Sequence, residues 1–163
     1  MIDVSSSYSP HFNSRPAGTI IDCIVLHADA STSDSGTLSW FRDPVSKVSY
    51  HYLIGRSGHI WQIVEDRRRA WHAGVSTFAG RANCNDYSLG VSFSNAQNGE
   101  AFTPQALRAG VELVAKLCRE HSIPVNRITT HALVSPGRKH DPGPLFPLGD
   151  FLADVKHELE SAA

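Results

Sequence analysis

The sequence lacks several features that would assign it to a specialised class of protein. Its 163 residues include three cysteines, an odd number at wide spacing, which argues against a disulfide framework and against a structural zinc knuckle. No apolar run approaches the length of a membrane span, and the first ten residues have neither the charged nor the apolar region of a signal peptide. The formal net charge is −1, without a block of like charge, so neither nucleic acid nor a membrane surface is implied as a partner.

These absences leave an ordinary soluble protein. A chain of 163 residues is long enough for one domain with a real core, and no internal repeat or low-complexity tract divides it. We therefore expect a single domain over residues 1–163, a monomer that is cytoplasmic when synthesised.

Histidine is the residue that the sequence has in unusual number, with nine in the chain. Two of them lie in residues 131–144, where three prolines exclude a regular helix and predict a stiff loop. His131 and Asp141 offer a nitrogen and a carboxylate oxygen, which are both ordinary zinc ligands. Lys139 leaves an extended segment on the same side as Asp141, where a cation can stabilise an oxyanion. A solvated basic turn explains this stretch equally well.

The first strand that the apolar pattern predicts ends in a histidine. Residues 1–19 are predicted to be an irregular arm, and residues 19–26 form a nearly continuous apolar run, as expected for a strand buried on both faces. His27 follows it directly, at the end of a strand where open α/β sheets place ligand groups. Taken alone, His27 is better explained as a core histidine with its hydrogen bonds satisfied.

A hairpin is predicted next. After a short helix around residues 37–41, the strands are residues 48–54 and 59–64, joined by a turn that contains Gly58. Alternation along the first strand puts Tyr50 on the same face as Tyr52, and core packing is the expectation for both tyrosines.

Residues 65–87 have no periodicity, which is typical of a binding loop or a lid. Within them, Trp71 and His72 have the makings of a groove wall, with an indole for a sugar or peptide face and an imidazole for polar groups. The remaining elements are regular: a strand at 88–93, a helix from Thr103-Pro104 to about 120, a strand at 127–130 and a helix at 148–159.

This order of elements predicts an α/β fold, with a central mixed β-sheet flanked by helices. The strand at 127–130 delivers His131 just as the strand at 19–26 delivers His27. Because both histidines lie where a strand ends, they can converge.

Several short motifs follow one another along nearly the whole chain. They are Val25-Leu-His27, Val48-Ser-Tyr-His-Tyr-Leu, Ala70-Trp-His-Ala-Gly74, Asn83-Cys-Asn-Asp-Tyr-Ser-Leu-Gly90, Thr130-His131 and Gly137-Arg-Lys-His-Asp-Pro-Gly143. Together they resemble the type 2 family of N-acetylmuramoyl-L-alanine amidases, which are zinc peptidoglycan hydrolases related in fold to peptidoglycan recognition proteins. Any one motif is weak, but the ordered set, from about residue 8 to 155, is specific.

The resemblance implies a set of site residues. The zinc ligands, for one ion per chain, are His27, His131 and Asp141. Lys139 is implied to be catalytic. The residues assigned to substrate binding are His72, Trp71 and Asn85.

One position departs from many relatives. Bacterial members often carry a catalytic glutamate where this chain has Ser92, whereas phage lysozyme-type members lack it and use a tyrosine at the position of Tyr50. The resemblance therefore implies that Tyr50 is the catalytic partner. Zinc brings the pKa of a bound water to roughly 7, and the hydroxide formed would attack the amide between the lactyl group and L-alanine. Zinc and Lys139 would stabilise the oxyanion, while Tyr50 orients the water or passes a proton to the leaving amine.

The function that the resemblance implies is a zinc-dependent N-acetylmuramoyl-L-alanine amidase acting on bacterial peptidoglycan, as a phage or prophage endolysin. Two alternatives stay open. One is a peptidoglycan-binding or sensing domain that does not cleave, and the other is a cytoplasmic amidase that recycles muropeptides.

Overall fold

The computed structural model describes residues 2–161, and ten strands and four α-helices lie within that range. The strands are β1 (Val4–Ser6), β2 (Phe12–Ser14), β3 (Cys23–Ala28), β4 (Tyr52–Ile54), β5 (Ile60–Gln62), β6 (Arg68–Ala70), β7 (Thr77–Phe78), β8 (Arg81–Ala82), β9 (Ser88–Phe93) and β10 (Ile128–Thr130). The helices are α1 (Asp34–Arg42), α2 (Pro104–His121), α3 (His131–Val134) and α4 (Leu148–Ser161). Among residues 2–161, no helix has the length and apolar character that a membrane span requires.

Six strands form the central sheet, in the order β1-β5-β4-β9-β3-β10. All neighbouring pairs are parallel except β4 and β5, which form the predicted antiparallel hairpin. Every residue of β3 and β9 is buried, as their apolar sequences require of strands covered on both faces. The predicted mixed sheet with flanking helices is confirmed.

The two faces of the sheet have different coverings. On one face, Leu26 and Phe93 belong to the main hydrophobic core, together with residues of α2 and α4. On the other face, Val25 packs against residues of the segment that follows β6. Phe41 of α1 covers β4 on that same side by packing near Leu53. Helices α2 and α4 therefore lie on one face, and α1 lies on the other together with the irregular segments that carry most of the predicted site.

Local capping signals explain where the helices begin. Thr103 caps α2, its hydroxyl accepting a hydrogen bond from the Ala106 amide at 3.1 Å, and Pro104 occupies the first turn. The helix ends at Ser122, which takes a left-handed conformation with φ 55°. Helix α1 is longer than predicted, because Ser33 caps it and it begins at Asp34, three residues before the predicted start.

The prediction of an irregular arm over residues 1–19 is wrong. Strand β1 pairs in parallel with β5 at the sheet edge, and β2 pairs with β6. Residues 65–87 likewise contain β6, β7 and β8 and a short 3-10 helix at Cys84–Asp86. These strands have two or three residues each, too short for a periodic pattern, and only their partners reveal them. The predicted loop at 131–144 opens with the helical turn α3, which ends before the first proline.

Arg15 connects this N-terminal arm to residues 66–88 through hydrogen bonds. Its guanidinium donates hydrogen bonds to four backbone carbonyls, those of Asp66, Asn85, Asp86 and Ser88. Burial lowers the pKa of Arg15 to about 10, which leaves it charged at neutral pH. The arm is therefore part of the domain.

The predicted shared face of Tyr50 and Tyr52 is also wrong. Tyr52 is in the main core, whereas Tyr50 packs with the Phe41 cluster on the opposite face. Strand β4 begins only at residue 52, and the His51 carbonyl accepts hydrogen bonds from two consecutive amides of the partner segment, Ile63 and Val64. Residue 51 is a bend, so regular alternation does not extend back to Tyr50, which lies on the face of His27.

Candidate metal centre and active site

Three predicted ligands meet at the carboxyl ends of two neighbouring parallel strands. His27 belongs to β3, and His131 directly follows β10, which pairs with β3 through Thr130 and Leu26. Both histidines are buried. Asp141 reaches them from the proline-rich loop, whose path is fixed by a 3.0 Å hydrogen bond from the Ala132 amide to the Asp141 carbonyl.

The ligand atoms have the spacing that a small tetrahedral cation requires. His27 Nδ1 lies 3.0 Å from His131 Nδ1 and 3.3 Å from Asp141 Oδ2. His131 Nδ1 lies 3.1 Å from Asp141 Oδ1. Zinc bonds of about 2.0–2.1 Å place tetrahedral ligand atoms about 3.3 Å apart. Two imidazole nitrogens and one carboxylate also leave a fourth position for water or substrate, so this group can bind a metal ion and suits zinc.

The charge states of these residues agree with a role in metal binding. Burial lowers the pKa of His27 to about 4, so its imidazole is neutral at pH 7 and has a lone pair to give. Burial alone would raise the pKa of Asp141, but His131 and His27 beside it outweigh that effect and hold the pKa well below its usual range. The site therefore presents a carboxylate and the neutral imidazole of His27 at neutral pH.

Tyr50 and Ser92 lie beside this group. The Tyr50 ring packs against His27, with centroids 4.8 Å apart, and burial raises the pKa of its phenol. Ser92 is the residue of β9 paired with His27 across the sheet, and it is fully buried. Within residues 2–161, its hydroxyl makes no hydrogen bond of standard geometry, although it lies near the Tyr50 phenol, where it acts against the larger effect of burial on the phenol's pKa. The position at which many relatives carry glutamate is thus a short, enclosed side chain, while Tyr50 faces the open cavity.

Lys139 lines the same cavity, which has a volume of about 730 Å³ and also includes Tyr50 and Asp141 in its walls. Among the described residues, the Lys139 ammonium makes neither a hydrogen bond nor a salt bridge, so it is available to a substrate oxygen. Its neighbour Arg138 is differently engaged, with Nη2 2.6 Å from the Ala73 carbonyl. The structure therefore brings the two predicted catalytic residues to one cavity with His131 and Asp141, and His27 lies buried directly behind them.

The three residues assigned to substrate binding also line this cavity, but two of them are buried. Asn85 Oδ1 accepts hydrogen bonds from the amides of His72 and Ala73, at 3.1 and 2.8 Å, and so shapes the wall from behind. His72 lies against His27, with its Nδ1 2.9 Å from His27 Nε2. Trp71 is half-buried, and its Nε1 donates to Asn13 Oδ1 at 3.3 Å.

Sequence reasoning missed two residues of the cavity wall, Asp29 and Arg138. Burial raises the pKa of Asp29, while hydrogen bonds to its carboxylate act against this rise. That carboxylate accepts from the Thr37 hydroxyl at 2.6 Å and from the Asn95 amide at 2.9 Å, tying the ends of two central strands to α1. An acidic residue two positions after a strand-end histidine was the signal available for Asp29, and adjacency to Lys139 was the signal for Arg138.

Comparison with known proteins agrees with this geometry. The family model described as N-acetylmuramoyl-L-alanine amidase matches residues 16–144, a range that contains every site residue named above. The 1,6-anhydro-N-acetylmuramyl-L-alanine amidase AmpD of Haemophilus influenzae is 34% identical over 174 residues, covering 96% of this chain and 94% of the relative.

The solved structures to which the chain is similar include amidases of the same family. A crystal structure of a selenomethionine derivative of AmpD superposes with a TM-score of 0.86 and 30% identity, covering 95% of this chain and 99% of the other. The amidase AmiD of Escherichia coli, in complex with the substrate anhydro-N-acetylmuramic acid-L-Ala-D-gamma-Glu-L-Lys, has a TM-score of 0.75 and 29% identity, over 86% of this chain and 60% of the other. With its fold, its His–His–Asp group and the match over residues 16–144, the chain belongs to the N-acetylmuramoyl-L-alanine amidase family, and it is an amidase.

Proposed function

We propose that this protein is a zinc-dependent amidase that cleaves soluble muropeptides between the lactyl group of N-acetylmuramic acid and L-alanine. The observation that carries this proposal is the end-to-end match to a 1,6-anhydro-N-acetylmuramyl-L-alanine amidase, which leaves no large part of either chain unaccounted for. Anhydromuropeptides are fragments of peptidoglycan, so the match favours recycling of muropeptides over the endolysin role predicted from the sequence. The protein then acts as a single domain and a monomer in the cytoplasm.

The proposed roles follow from the positions of the side chains. His27, His131 and Asp141 hold one zinc ion, which when bound polarises the scissile carbonyl and lowers the pKa of a water to about 7. Lys139 lies free in the same cavity and stabilises negative charge that develops on the carbonyl oxygen. Tyr50, whose pKa is raised by burial, keeps its proton at neutral pH and can orient water or donate to the leaving amine.

A domain that only binds peptidoglycan is the less favoured alternative. Such a domain needs neither a complete His–His–Asp group at metal-ligand spacing nor, beside it, a lysine that is unpaired among residues 2–161. Ser92 replaces the glutamate of many relatives, but Tyr50 offers a proton donor in the same cavity. The arrangement therefore supports catalysis.

Mass spectrometry of two parallel digests tests the proposal. One substrate is a purified anhydromuropeptide with its stem peptide, and the other is intact sacculi. We expect free stem peptides with new L-alanine amino termini, no new reducing sugar ends, and a faster rate on the soluble substrate. New reducing ends would mean that the protein is a glycosidase. A faster rate on sacculi would instead support the endolysin role.

A further inference from the structure

His72 lies directly behind one proposed zinc ligand. It is 6% exposed, and its ring is nearly perpendicular to that of His27, with centroids 5.0 Å apart. His72 Nδ1 is 2.9 Å from His27 Nε2, and His72 Nε2 is 3.1 Å from the hydroxyl of Ser88. Both ring nitrogens are engaged inside the protein, so neither remains for a substrate group.

The positions of the protons along these contacts follow from the Cys84 carbonyl oxygen at the end of the series, because it can only accept a hydrogen bond. Ser88 Oγ lies 2.6 Å from the Cys84 carbonyl oxygen, which can only accept, so the Ser88 hydroxyl donates to it. A hydroxyl has one proton, and Ser88 therefore accepts from His72 Nε2–H. His72 Nδ1 then carries a lone pair and accepts from His27 Nε2–H. This leaves His27 Nδ1 unprotonated, and it is the atom that faces the other two proposed ligands.

We propose that His72 is a positioning residue of the metal centre, which acts with Ser88 as a hydrogen-bond relay that fixes His27 in its zinc-binding tautomer. This inference rests on the proposed zinc centre and replaces the expectation that His72 contacts substrate. Partners that hold the second nitrogen of a metal-binding histidine set its tautomer and its orientation, and their loss typically weakens metal binding about 10–100-fold.

The two histidine ligands differ in how their second nitrogen is held. His131 Nε2 lies 3.2 Å from the Ala73 carbonyl, a backbone acceptor that has no alternative protonation state. His27 depends instead on two side chains in series. The sheet leaves room for the His72 ring at Gly90, where an added Cβ would lie 2.5 Å from the His72 Cγ. Because His72 can exist as either tautomer, the hydroxyl of Ser88 is what selects the one that accepts from His27.

Zinc affinity, measured by competition with a chelator of known affinity, tests the relay without reference to catalysis. We expect His72→Ala to weaken zinc binding about 10–100-fold and Ser88→Ala to weaken it about tenfold. His72→Asn places an amide oxygen near the position of Nδ1, so it should recover most of the loss. At saturating zinc, KM for the muropeptide should stay close to that of the unaltered protein in His72→Asn, because both ring nitrogens of His72 have partners inside the protein although the side chain lines the cavity. The matched control is Ser49→Ala, since Ser49 is a fully buried serine that bonds the Trp71 amide but no member of the relay.

Circular dichroism of each zinc-free variant identifies those that fold, and Ser88→Ala decides the question if His72→Ala does not fold. Folded variants with the zinc affinity of the unaltered protein and a raised KM would overturn the relay and restore His72 to the substrate groove. An equal loss of affinity in Ser49→Ala would overturn it as well, because the effect would then belong to general packing. If the unaltered protein binds no zinc, the proposed metal centre itself is wrong.

Discussion

Replacing Tyr50 by phenylalanine tests how the proposed active site divides its work. The Tyr50 ring packs 4.8 Å from the His27 ring and 5.1 Å from the Phe41 ring, measured between centroids. Phenylalanine keeps these contacts and removes only the hydroxyl. We therefore expect the folded state and the zinc content to stay unchanged in Tyr50→Phe.

The size of the effect on catalysis follows from the protonation state of the phenol. Burial raises the pKa of Tyr50 above its usual value near 10, so the hydroxyl stays protonated at neutral pH and acts as a donor. One positioned acid–base group contributes about 10²–10⁴-fold to a rate. We expect kcat to fall on the order of 10²-fold, which is about 2.7 kcal/mol of activation free energy, because zinc and Lys139 remain in place. Around neutral pH the pH profile should keep its shape, since the lost group does not titrate there.

The assay measures kcat and KM on a soluble muropeptide, with zinc content determined in the same preparations. Ser92→Ala is the matched variant. The buried Ser92 hydroxyl makes no hydrogen bond of standard geometry within residues 2–161, and a buried unsatisfied group costs about 1–3 kcal/mol. Its removal should leave stability unchanged or higher and activity near that of the unaltered protein. Full activity in Tyr50→Phe together with an inactive Ser92→Ala would refute this reasoning.

Three further predictions concern the metal, a helix cap and acid. A chelator should abolish activity, and added zinc should restore it. Elemental analysis should show one zinc per chain in the unaltered protein and in His59→Ala, and a loss of zinc in Asp141→Ala. An active protein free of zinc would contradict the metal centre. Thr103→Ala removes the cap of α2 and should lower the free energy of unfolding in urea by about 1 kcal/mol with kcat unchanged; an unchanged free energy would mean that the cap contributes nothing. Burial lowers the pKa of His51 to about 4 in the folded protein, so between about pH 6.5 and 4 the unfolded chain takes up a proton that the folded one does not. The free energy of unfolding should therefore fall as pH drops through this window, by up to about 3 kcal/mol from His51, and a rise in stability between pH 7 and 4.5 would contradict it.

Local signals account for the elements that the sequence predicted well. Strand β9 has the predicted bounds, because a run of apolar and small residues lies between two segments without strand or α-helix periodicity. Helix α2 begins at the predicted proline and ends within a residue of the predicted end, because the Thr103 cap and its apolar spacing lie within the helix itself. The convergence of His27 and His131 was also predictable, since each follows a buried strand.

The features that the sequence could not give depend on distant partners. Strand β1 has three residues and exists because the edge of β5 offers hydrogen bonds to it. Tyr50 lies on the opposite face from Tyr52 because the chain bends at residue 51, before β4 begins. His72 can be buried in its position only because Gly90, which belongs to the distant strand β9, has no side chain. None of these is encoded in the residues next to the position concerned.

The order of strands in the sheet has a consequence for biosynthesis. His27 leaves the ribosome well before its partners, because the His131 nitrogen that it meets belongs to a residue 104 positions later, and the carboxylate that meets the Ala28 amide comes 113 positions later. Strand β3 has to wait for both of its neighbours, β9 and β10, before its edges are paired. Such distant pairings are slow to form, because the chain between them must be closed into a loop. A nascent chain that stops before residue 141 therefore lacks one of the three proposed zinc ligands, so the proposed metal site cannot be complete until that residue has been made.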